Sequence, residues 1–161
     1  MGRAIDMLIT YRVVKMLVTP FEKTQAYKLG IIDEKGKNLI PMRKVQGSAQ
    51  KHYTILNRFV FNIKKIMRRV GLGGRLGSFG ATLALLIKED KNYLQHKDAI
   101  ESAVITYLKE ENLYDEILNE SRDIPNIPYD WELKPVMTCF GVGIYEKNNK
   151  LISEYEYAKT L

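Results

Sequence analysis

Apolar residues recur along the chain at intervals of three and four, the spacing that places side chains on one face of an α-helix. Residues 4–19 carry this pattern at Ile5, Leu8, Ile9, Val13, Met16 and Leu17. Residues 54–70 carry it more fully, at Ile55, Leu56, Phe59, Val60, Ile63, Ile66, Met67 and Val70. Phe61 alone falls outside this second stripe. We therefore predict two amphipathic helices.

The segment that follows the first helix begins with a capping signal. Thr19, Pro20 and Glu22 match the N-cap, first and third positions of a capping box. In that motif the Thr hydroxyl and the Glu carboxylate each accept a backbone N–H. The signal predicts a short helix over residues 20–29, which Gly30 is placed to end.

Two short segments have the composition of β-hairpins. Residues 31–40 alternate apolar and polar positions around a turn at Lys35-Gly36. Residues 136–157 read as two strands joined at residues 147–150, where two consecutive asparagines tolerate the positive φ of a tight turn. The polar residues between the first hairpin and the second long helix predict a loop.

The second long helix is expected to form a helical hairpin with the segment after it. Glycines at 71, 73 and 74 predict the end of the first arm, and the apolar run over residues 76–88 predicts the second. Gly77 and Gly80 lie within that second arm, where the absence of a side chain allows close approach of the two packed helices.

Residues 98–120 predict a further helical stretch, acidic on its outer face and broken near Glu111-Asn112. Pro125 and Pro128 then predict an extended connection to the last hairpin. The elements together predict a mainly helical α+β fold, with a helical-hairpin core and one or two small β-hairpins.

The chain length fits one domain, or one domain with a small appendage. We expect residues 1–123 to form a helical domain that runs from basic to acidic and contains the small hairpin at 31–40. Residues 124–161 are expected to form an extended linker and a C-terminal β-hairpin that packs on the same domain.

Charge is distributed unevenly along the chain. Residues 1–88 hold 17 Lys or Arg against 4 Asp or Glu, a balance of +13, whereas residues 89–161 hold 8 against 15, a balance of −7. The formal net charge is +6. Such a chain either meets a polyanion through its basic half, or attracts its own acidic half or that of a neighbouring copy. Chance placement of charges on solvated faces is a third interpretation.

A basic face on the 54–70 helix is the main functional candidate, because a phosphate backbone needs several cations on one surface. The residues predicted to contact nucleic acid or another polyanion are Arg58, Lys64, Lys65, Arg68, Arg69 and Arg75. Five further cations could extend this surface: Arg12, Lys15, Arg43, Lys44 and Lys51. Solvation of an exposed helix face, and the attraction of cations to a helix C-terminus, explain the same pattern without a ligand.

The sequence offers little for catalysis or metal binding. Its two histidines, His52 and His96, are far apart, and Cys139 lies in an apolar run typical of a buried residue. The acidic pairs Glu110-Glu111 and Asp115-Glu116 alternate with apolar positions, as on a solvated helix face. We therefore predict a protein that is not an enzyme, with no catalytic residue, cofactor, metal or small-molecule substrate. An enzyme fragment that holds phosphate with Arg75 and the glycine turn is a lesser alternative.

Compartment signals are equally few. A single cysteine excludes an intrachain disulfide, which suits a reducing compartment. The sequence has no apolar run long enough to cross a bilayer, and its first residues do not form a secretory signal. We expect a soluble, intracellular protein that does not bind membranes.

Several sequence segments resemble a small module of tailed bacteriophages. They are residues 15–24, 26–33, 53–54 and 58–64, followed by a glycine turn before an apolar helix. The proteins that this module resembles are virion structural or prohead-core proteins of T4-like and marine phages. The resemblance covers roughly residues 11–90. The glycine turn, Gly71-Leu72-Gly73-Gly74-Arg75, departs from the shorter Pro-Gly-Gly form expected in such proteins.

The resemblance implies a head or capsid-assembly protein of the virion, present in many copies. Its partners would be other virion proteins and packaged DNA, and it would occupy the virion and, during assembly, the host cytoplasm. It supplies no catalytic residues. The alternative left open by the basic residues is an accessory protein that binds nucleic acid without sequence specificity.

Overall fold

The computed structural model describes residues 2–68, 74–121 and 134–158. Its helices are α1 (Gly2–Val18), α2 (Gln25–Lys28), α3 (Ile55–Met67), α4 (Arg75–Glu89), α5 (Lys97–Glu110), α6 (Tyr114–Ser121) and α7 (Glu154–Ala158). Its strands are β1 (Met137–Cys139), β2 (Val142–Lys147) and β3 (Lys150–Ser153). Helix makes up 66% of the structure beside one three-stranded antiparallel sheet, which confirms the predicted mainly helical α+β class.

Helix α1 is confirmed and packs mainly on α5, with a smaller contact on α3. Ile9, Val13 and Leu17 are buried along the side that faces this core. The predicted apolar face is wrong at its start, because Ile5 and Leu8 are 48% and 56% exposed. The helix carries more apolar residues than one buried face can accept.

The predicted capping box at Thr19 is wrong. The Thr19 hydroxyl donates to the Lys15 carbonyl at 2.7 Å, so it belongs to the end of α1 and not to the start of a helix. A 3₁₀ turn over Phe21–Lys23 comes next, and α2 begins only after Thr24, whose hydroxyl accepts the Tyr27 N–H. Because Phe21 is fully buried, its packing fixes this turn in place of the predicted continuous helix.

The predicted hairpin at 31–40 reduces to a single antiparallel bridge between Ile32 and Asn38. The Asp33 carboxylate accepts the backbone N–H groups of Lys35 and Lys37, each at 2.9 Å. These side-chain bonds hold a local turn, which leaves little backbone for a strand ladder. The backbone bond from Lys37 lowers the pKa of Asp33. The predicted loop after it contains 3₁₀ turns at Met42–Lys44 and Gly47–His52.

A small second core lies between this N-terminal segment and α3. Its buried members are Phe21, Ala26, Ile31, Ile32, Val45, Tyr53 and Phe61. Phe61 packs edge-on against Phe21, with ring centroids 5.7 Å apart. Phe61, which lies outside the apolar stripe of α3, therefore packs in this second core, whereas the stripe itself packs in the main core.

The predicted helical hairpin is confirmed as α3 and α4. Helix α3 starts at a capping box in which Thr54 and Asn57 exchange side-chain and backbone bonds. In α4, a β-carbon on Gly77 would lie 2.8 Å from Ser153, and one on Gly80 would lie 2.9 Å from the Cys139 carbonyl oxygen. The prediction that these glycines let the two helices approach closely is wrong, because the close approach they permit is between α4 and the sheet.

The acidic helical stretch divides at the predicted place, with α5 and α6 separated by Asn112 at φ 59°. Predictions for the end of the 54–70 helix, the glycines before Gly74, and the connection through Pro125 and Pro128 fall outside the described residues.

The C-terminal segment forms three strands and a helix where two strands were predicted. Positive φ at Phe140 and Gly141 creates an additional turn between β1 and β2. The predicted turn at Asn148-Asn149 is confirmed, with φ of 54° and 64°. Ile144 lies opposite Met137 on one side and Ser153 on the other. The sheet packs on α4 and shares the main core with the helices.

Candidate polyanion-binding surface

The structure distributes the predicted contact cations over quite different environments. Arg68 is exposed, and Arg58 and Lys65 are half-buried, whereas Lys64 and Arg75 are only 6% and 4% exposed. Arg69 lies outside the described residues. The prediction that these residues share one outward surface is wrong for Lys64 and Arg75.

Arg58 is paired across the helical hairpin. Its Nη2 lies 2.6 Å from Oε2 of Glu89, at the last residue of α4. The two side chains are 23% and 34% exposed. This pair links the first turn of α3 to the last turn of α4, as expected for antiparallel arms. A polyanion would have to displace Glu89 before it could use the Arg58 guanidinium.

Lys64 turns inward because the N-terminal segment covers its side of α3. Its Nζ donates to the Thr19 carbonyl and lies 4.1 Å from the centroid of the Phe21 ring. Arg68, one turn later, places its guanidinium 4.9 Å from the same centroid. Burial, with a contribution from the Arg68 charge, lowers the pKa of the Lys64 ammonium to about 8.

Arg75 is held by the acidic part of the chain. Its guanidinium makes two bonds to the Glu120 carboxylate, at 2.7 and 2.5 Å, and one to Glu116 at 3.1 Å. A further bond reaches the Met67 carbonyl at 3.3 Å. The hydrogen bonds that Arg75 donates to the Glu120 carboxylate raise the pKa of Arg75. The guanidinium that a phosphate site at the glycine turn would need is therefore already occupied by two carboxylates.

The five cations proposed as extensions of the surface are better exposed than its centre. Arg12 and Lys15 lie on α1, and Arg43, Lys44 and Lys51 lie in the 3₁₀ segment before α3. All five are exposed, and among the described residues none of them forms an ion pair with a carboxylate. The free positive charge thus lies in the N-terminal segments more than on α3.

The remaining candidate chemistry has structural explanations. Cys139 is fully buried, and burial raises the pKa of its thiol to about 11, which keeps it from acting as a thiolate. His96 is buried and bonds to Asp6 of α1. Glu110, Glu111 and Asp115 are exposed at the end of α5 and the start of α6, as predicted for a solvated face. Glu116 is also exposed but pairs with Arg75.

Two absences among the described residues bear on function. No cluster of three or more His, Cys, Asp or Glu side chains in these parts of the chain is arranged to hold a metal ion. No helix among the same residues has the length and apolar character needed to cross a membrane.

The exposed side of α1 is a feature that the sequence interpretation missed. Met7, Leu8, Tyr11 and Val18 are 73%, 56%, 63% and 53% exposed. Their spacing places them on one face of the helix, beside Lys15, whose Nζ lies 5.9 Å from the Tyr11 ring centroid. We call this set, Met7, Leu8, Tyr11 and Val18, the α1 stripe. The signal was present in the sequence, because apolar residues occur on more than one side of this helix.

Comparison with known proteins adds no relative: no protein-family model, curated protein or solved structure matches the chain.

Proposed function

We propose that this chain is a structural or head-assembly protein of a bacteriophage virion, which acts by binding further copies of itself and neighbouring virion proteins. The sequence resemblance motivates the virion. The α1 stripe is the observation that carries the binding role. The proposed protein works in the host cytoplasm during assembly and remains in the particle, and the proposal assigns it no catalytic residue or cofactor.

The α1 stripe supports association because it keeps large apolar side chains in water on one helix face. Contiguous exposed apolar surface of this kind is typical of interaction sites. Tyr and Met are also enriched at the cores of protein interfaces. Burying Met7, Leu8, Tyr11 and Val18 against a partner would recover a hydrophobic stabilisation that the isolated chain forgoes.

Charge complementarity favours a second copy as the occupant of the α1 stripe. Arg12 and Lys15 lie beside the stripe on α1, whereas Glu110, Glu111 and Asp115 are exposed where α5 ends and α6 begins. A contact between the basic-apolar helix of one copy and the acidic helices of the next pairs opposite charges. Such a contact joins two different surfaces, so it continues from copy to copy, as an assembly requires.

The virion assignment is tested on purified particles of the phage that carries this sequence. Mass spectrometry of particles separated on a density gradient is expected to detect the chain in many copies, at a fixed ratio to the major head proteins. Its absence from purified particles would overturn the virion role. It would leave the self-association test untouched, since that test uses the isolated protein.

The exposed N-terminal cations favour a second function, binding of nucleic acid without sequence specificity. Arg43, Lys44, Lys51 and Arg68 are exposed, whereas Lys64 and Arg75 are not available. A random DNA duplex is the probe. Affinity should fall steeply with salt, and an Arg43→Gln, Lys44→Gln, Lys51→Gln variant should reduce the salt slope by about three. Negligible binding at low salt would eliminate this function.

A further inference from the structure

The cleft beside Lys64 is a site that the proposed function does not use. It lies where the end of α1 meets the last turn of α3 and the connection between α5 and α6, and it has a volume of about 320 Å³. Its apolar lining is contributed by Val18, Pro20, Met67, Tyr107 and Leu113, and its polar lining includes Lys64 and Arg68. The cleft shares Val18 with the α1 stripe and is otherwise a separate surface.

The two cations of the cleft, buried Lys64 and exposed Arg68, contact neutral groups. Lys64 donates to the Thr19 carbonyl, and both cations lie against the single ring of Phe21. Among the described residues, no carboxylate forms an ion pair with either of them. An ammonium group has three donors, so the Thr19 carbonyl leaves Lys64 with unused hydrogen-bonding capacity.

This arrangement is costly unless an anion completes it. The buried Lys64 charge pays a desolvation penalty that the Thr19 carbonyl, the Phe21 ring and the field of Glu22, which forms no ion pair with it, only partly offset. The lowered pKa of Lys64 reflects this cost, since burial is its largest cause. A second cation, Arg68, adds repulsion on the same side. One negative charge placed in the cleft would satisfy both groups at once.

We propose that this cleft binds a carboxylate attached to an apolar group. The carboxylate contacts the Lys64 ammonium and the Arg68 guanidinium, and the apolar part packs against Pro20, Met67 and Leu113. Two sources carry this chemistry: a free aliphatic acid, or an acidic side chain within an apolar segment of a neighbouring protein. The two cations and the apolar lining of the cleft specify what both sources have in common, a carboxylate attached to an apolar group.

The first test titrates hexanoate into the isotope-labelled full chain and follows backbone amide shifts by NMR. Saturable shifts are expected around Thr19, Lys64 and Arg68. Hexanol, which has the apolar chain without the charge, should bind at least about tenfold more weakly. Equal binding of the two probes, or no saturation by hexanoate, would overturn the proposal.

Matched variants on α3 assign the effect to Lys64. Lys64→Met should weaken hexanoate binding about tenfold or more, whereas Lys65→Met, which removes the same charge from the adjacent position, should change it by less than about twofold. Lys65 lines a different cleft, on the α4 side of the helix. Equal losses in the two variants would point to a general charge effect and contradict the proposal.

The pH dependence supplies a readout that needs no variant. With a Lys64 pKa of about 8, the protonated fraction falls from roughly nine-tenths at pH 7 to one-tenth at pH 9, so hexanoate affinity should fall about tenfold. Arg68 and Glu22 are the charged side chains whose fields act on Lys64. Tyr107, whose pKa is raised by burial, stays neutral. An affinity that does not change with pH would exclude Lys64 as the binding cation.

Peptides distinguish the two sources of the carboxylate. A capped Leu-Glu-Leu tripeptide is compared with its Gln counterpart and with hexanoate under the same conditions. Tighter binding of the Glu peptide than of hexanoate identifies a protein segment, and the reverse identifies a free acid. Binding of the Gln peptide as tight as that of the Glu peptide would contradict recognition of the carboxylate.

Discussion

Lys64 and Arg75 are both buried cations, but the fold treats them differently. Arg75 has two carboxylates and a backbone carbonyl around its guanidinium, whereas Lys64 has a carbonyl and an aromatic ring. A buried guanidinium satisfied on several sides stabilises the contact between α4 and α6. The buried Lys64 ammonium forms no ion pair with a carboxylate among the described residues, and its burial disfavours the charged form. We therefore expect a neutral residue in place of Arg75 to lower the stability of the fold, and a neutral residue in place of Lys64 to remove an unfavourable charge.

Replacing Arg75 by Met should destabilise the protein by about 2 kcal/mol, because it removes charged hydrogen bonds and leaves the partly buried Glu120 without a partner. Arg58→Met is the control, since its pair with Glu89 is more exposed and should cost less than about 1 kcal/mol. Chemical denaturation followed by circular dichroism measures both. Equal losses would show that the Arg75 network contributes no more than a surface pair.

Replacing Lys64 by Met should change how stability depends on pH. The folded pKa of Lys64, about 8, is below its ordinary value of 10.5, so between these limits the unfolded chain binds more protons than the folded one. Lys64 therefore lowers stability below pH 8, and this penalty disappears as pH rises towards 10.5. The stability of the wild type relative to Lys64→Met is expected to increase across that window. A constant difference from pH 7 to 10.5 would contradict the burial of a protonated amine.

At the scale of single elements, helix starts depend on which Thr hydroxyl meets a free N–H. Thr54 accepts the Asn57 N–H, and the Asn57 side chain accepts the Thr54 N–H in return. Thr19 has the sequence signature of such a cap but donates back into α1. The same residue type thus begins one helix and ends another.

A pair of substitutions separates these two roles. Thr54→Ala should cost about 1 kcal/mol of unfolding free energy, because α3 loses its N-cap. Thr19→Ala should cost clearly less, since its hydroxyl bonds to a carbonyl at an exposed helix end. Thermal or urea unfolding compares the two directly. A larger loss at Thr19 than at Thr54 would restore the capping box predicted from the sequence.

The long helices and the C-terminal Asn-Asn turn could be predicted because their signals are local. Apolar spacing identified α1, α3, α4 and α5, and positive φ at Asn148 follows from its side chain. The segment from Thr19 to Asn38 could not be predicted in the same way. There the burial of Phe21 and the bonds to the Asp33 carboxylate override the local preference for a helix and a hairpin.

The candidate site was predicted less well than the fold, for a physical reason. Helical periodicity places Lys64 opposite the apolar stripe, but it does not reveal that a second core covers that side of α3. The position of Phe61 was the available signal, since an apolar residue outside the stripe implies a second partner for the helix. If the second core on this side of α3 had been inferred from Phe61, Lys64 would have been predicted to be buried.

At the scale of the whole molecule, opposite charges meet partly within one chain. Arg75 pairs with Glu116 and Glu120, and Arg58 with Glu89, so intramolecular attraction accounts for part of the charge polarity. Other charges remain available to neighbouring molecules, because cations of the N-terminal segments and carboxylates of α5 and α6 are exposed. The apolar α1 stripe lies beside the first of these sets, where it could bind another copy.

Sedimentation equilibrium of the isolated full chain tests this central claim most directly. The wild type is expected to associate as its concentration rises to about 100 μM, and a Leu8→Ser, Tyr11→Ser variant should weaken association about tenfold or more. Leu39→Ser with Leu94→Ser is the control, since these residues are 57% and 55% exposed outside α1. A wild type that stays monomeric over the whole range, or a control that weakens association as much as the stripe variant, would contradict the account.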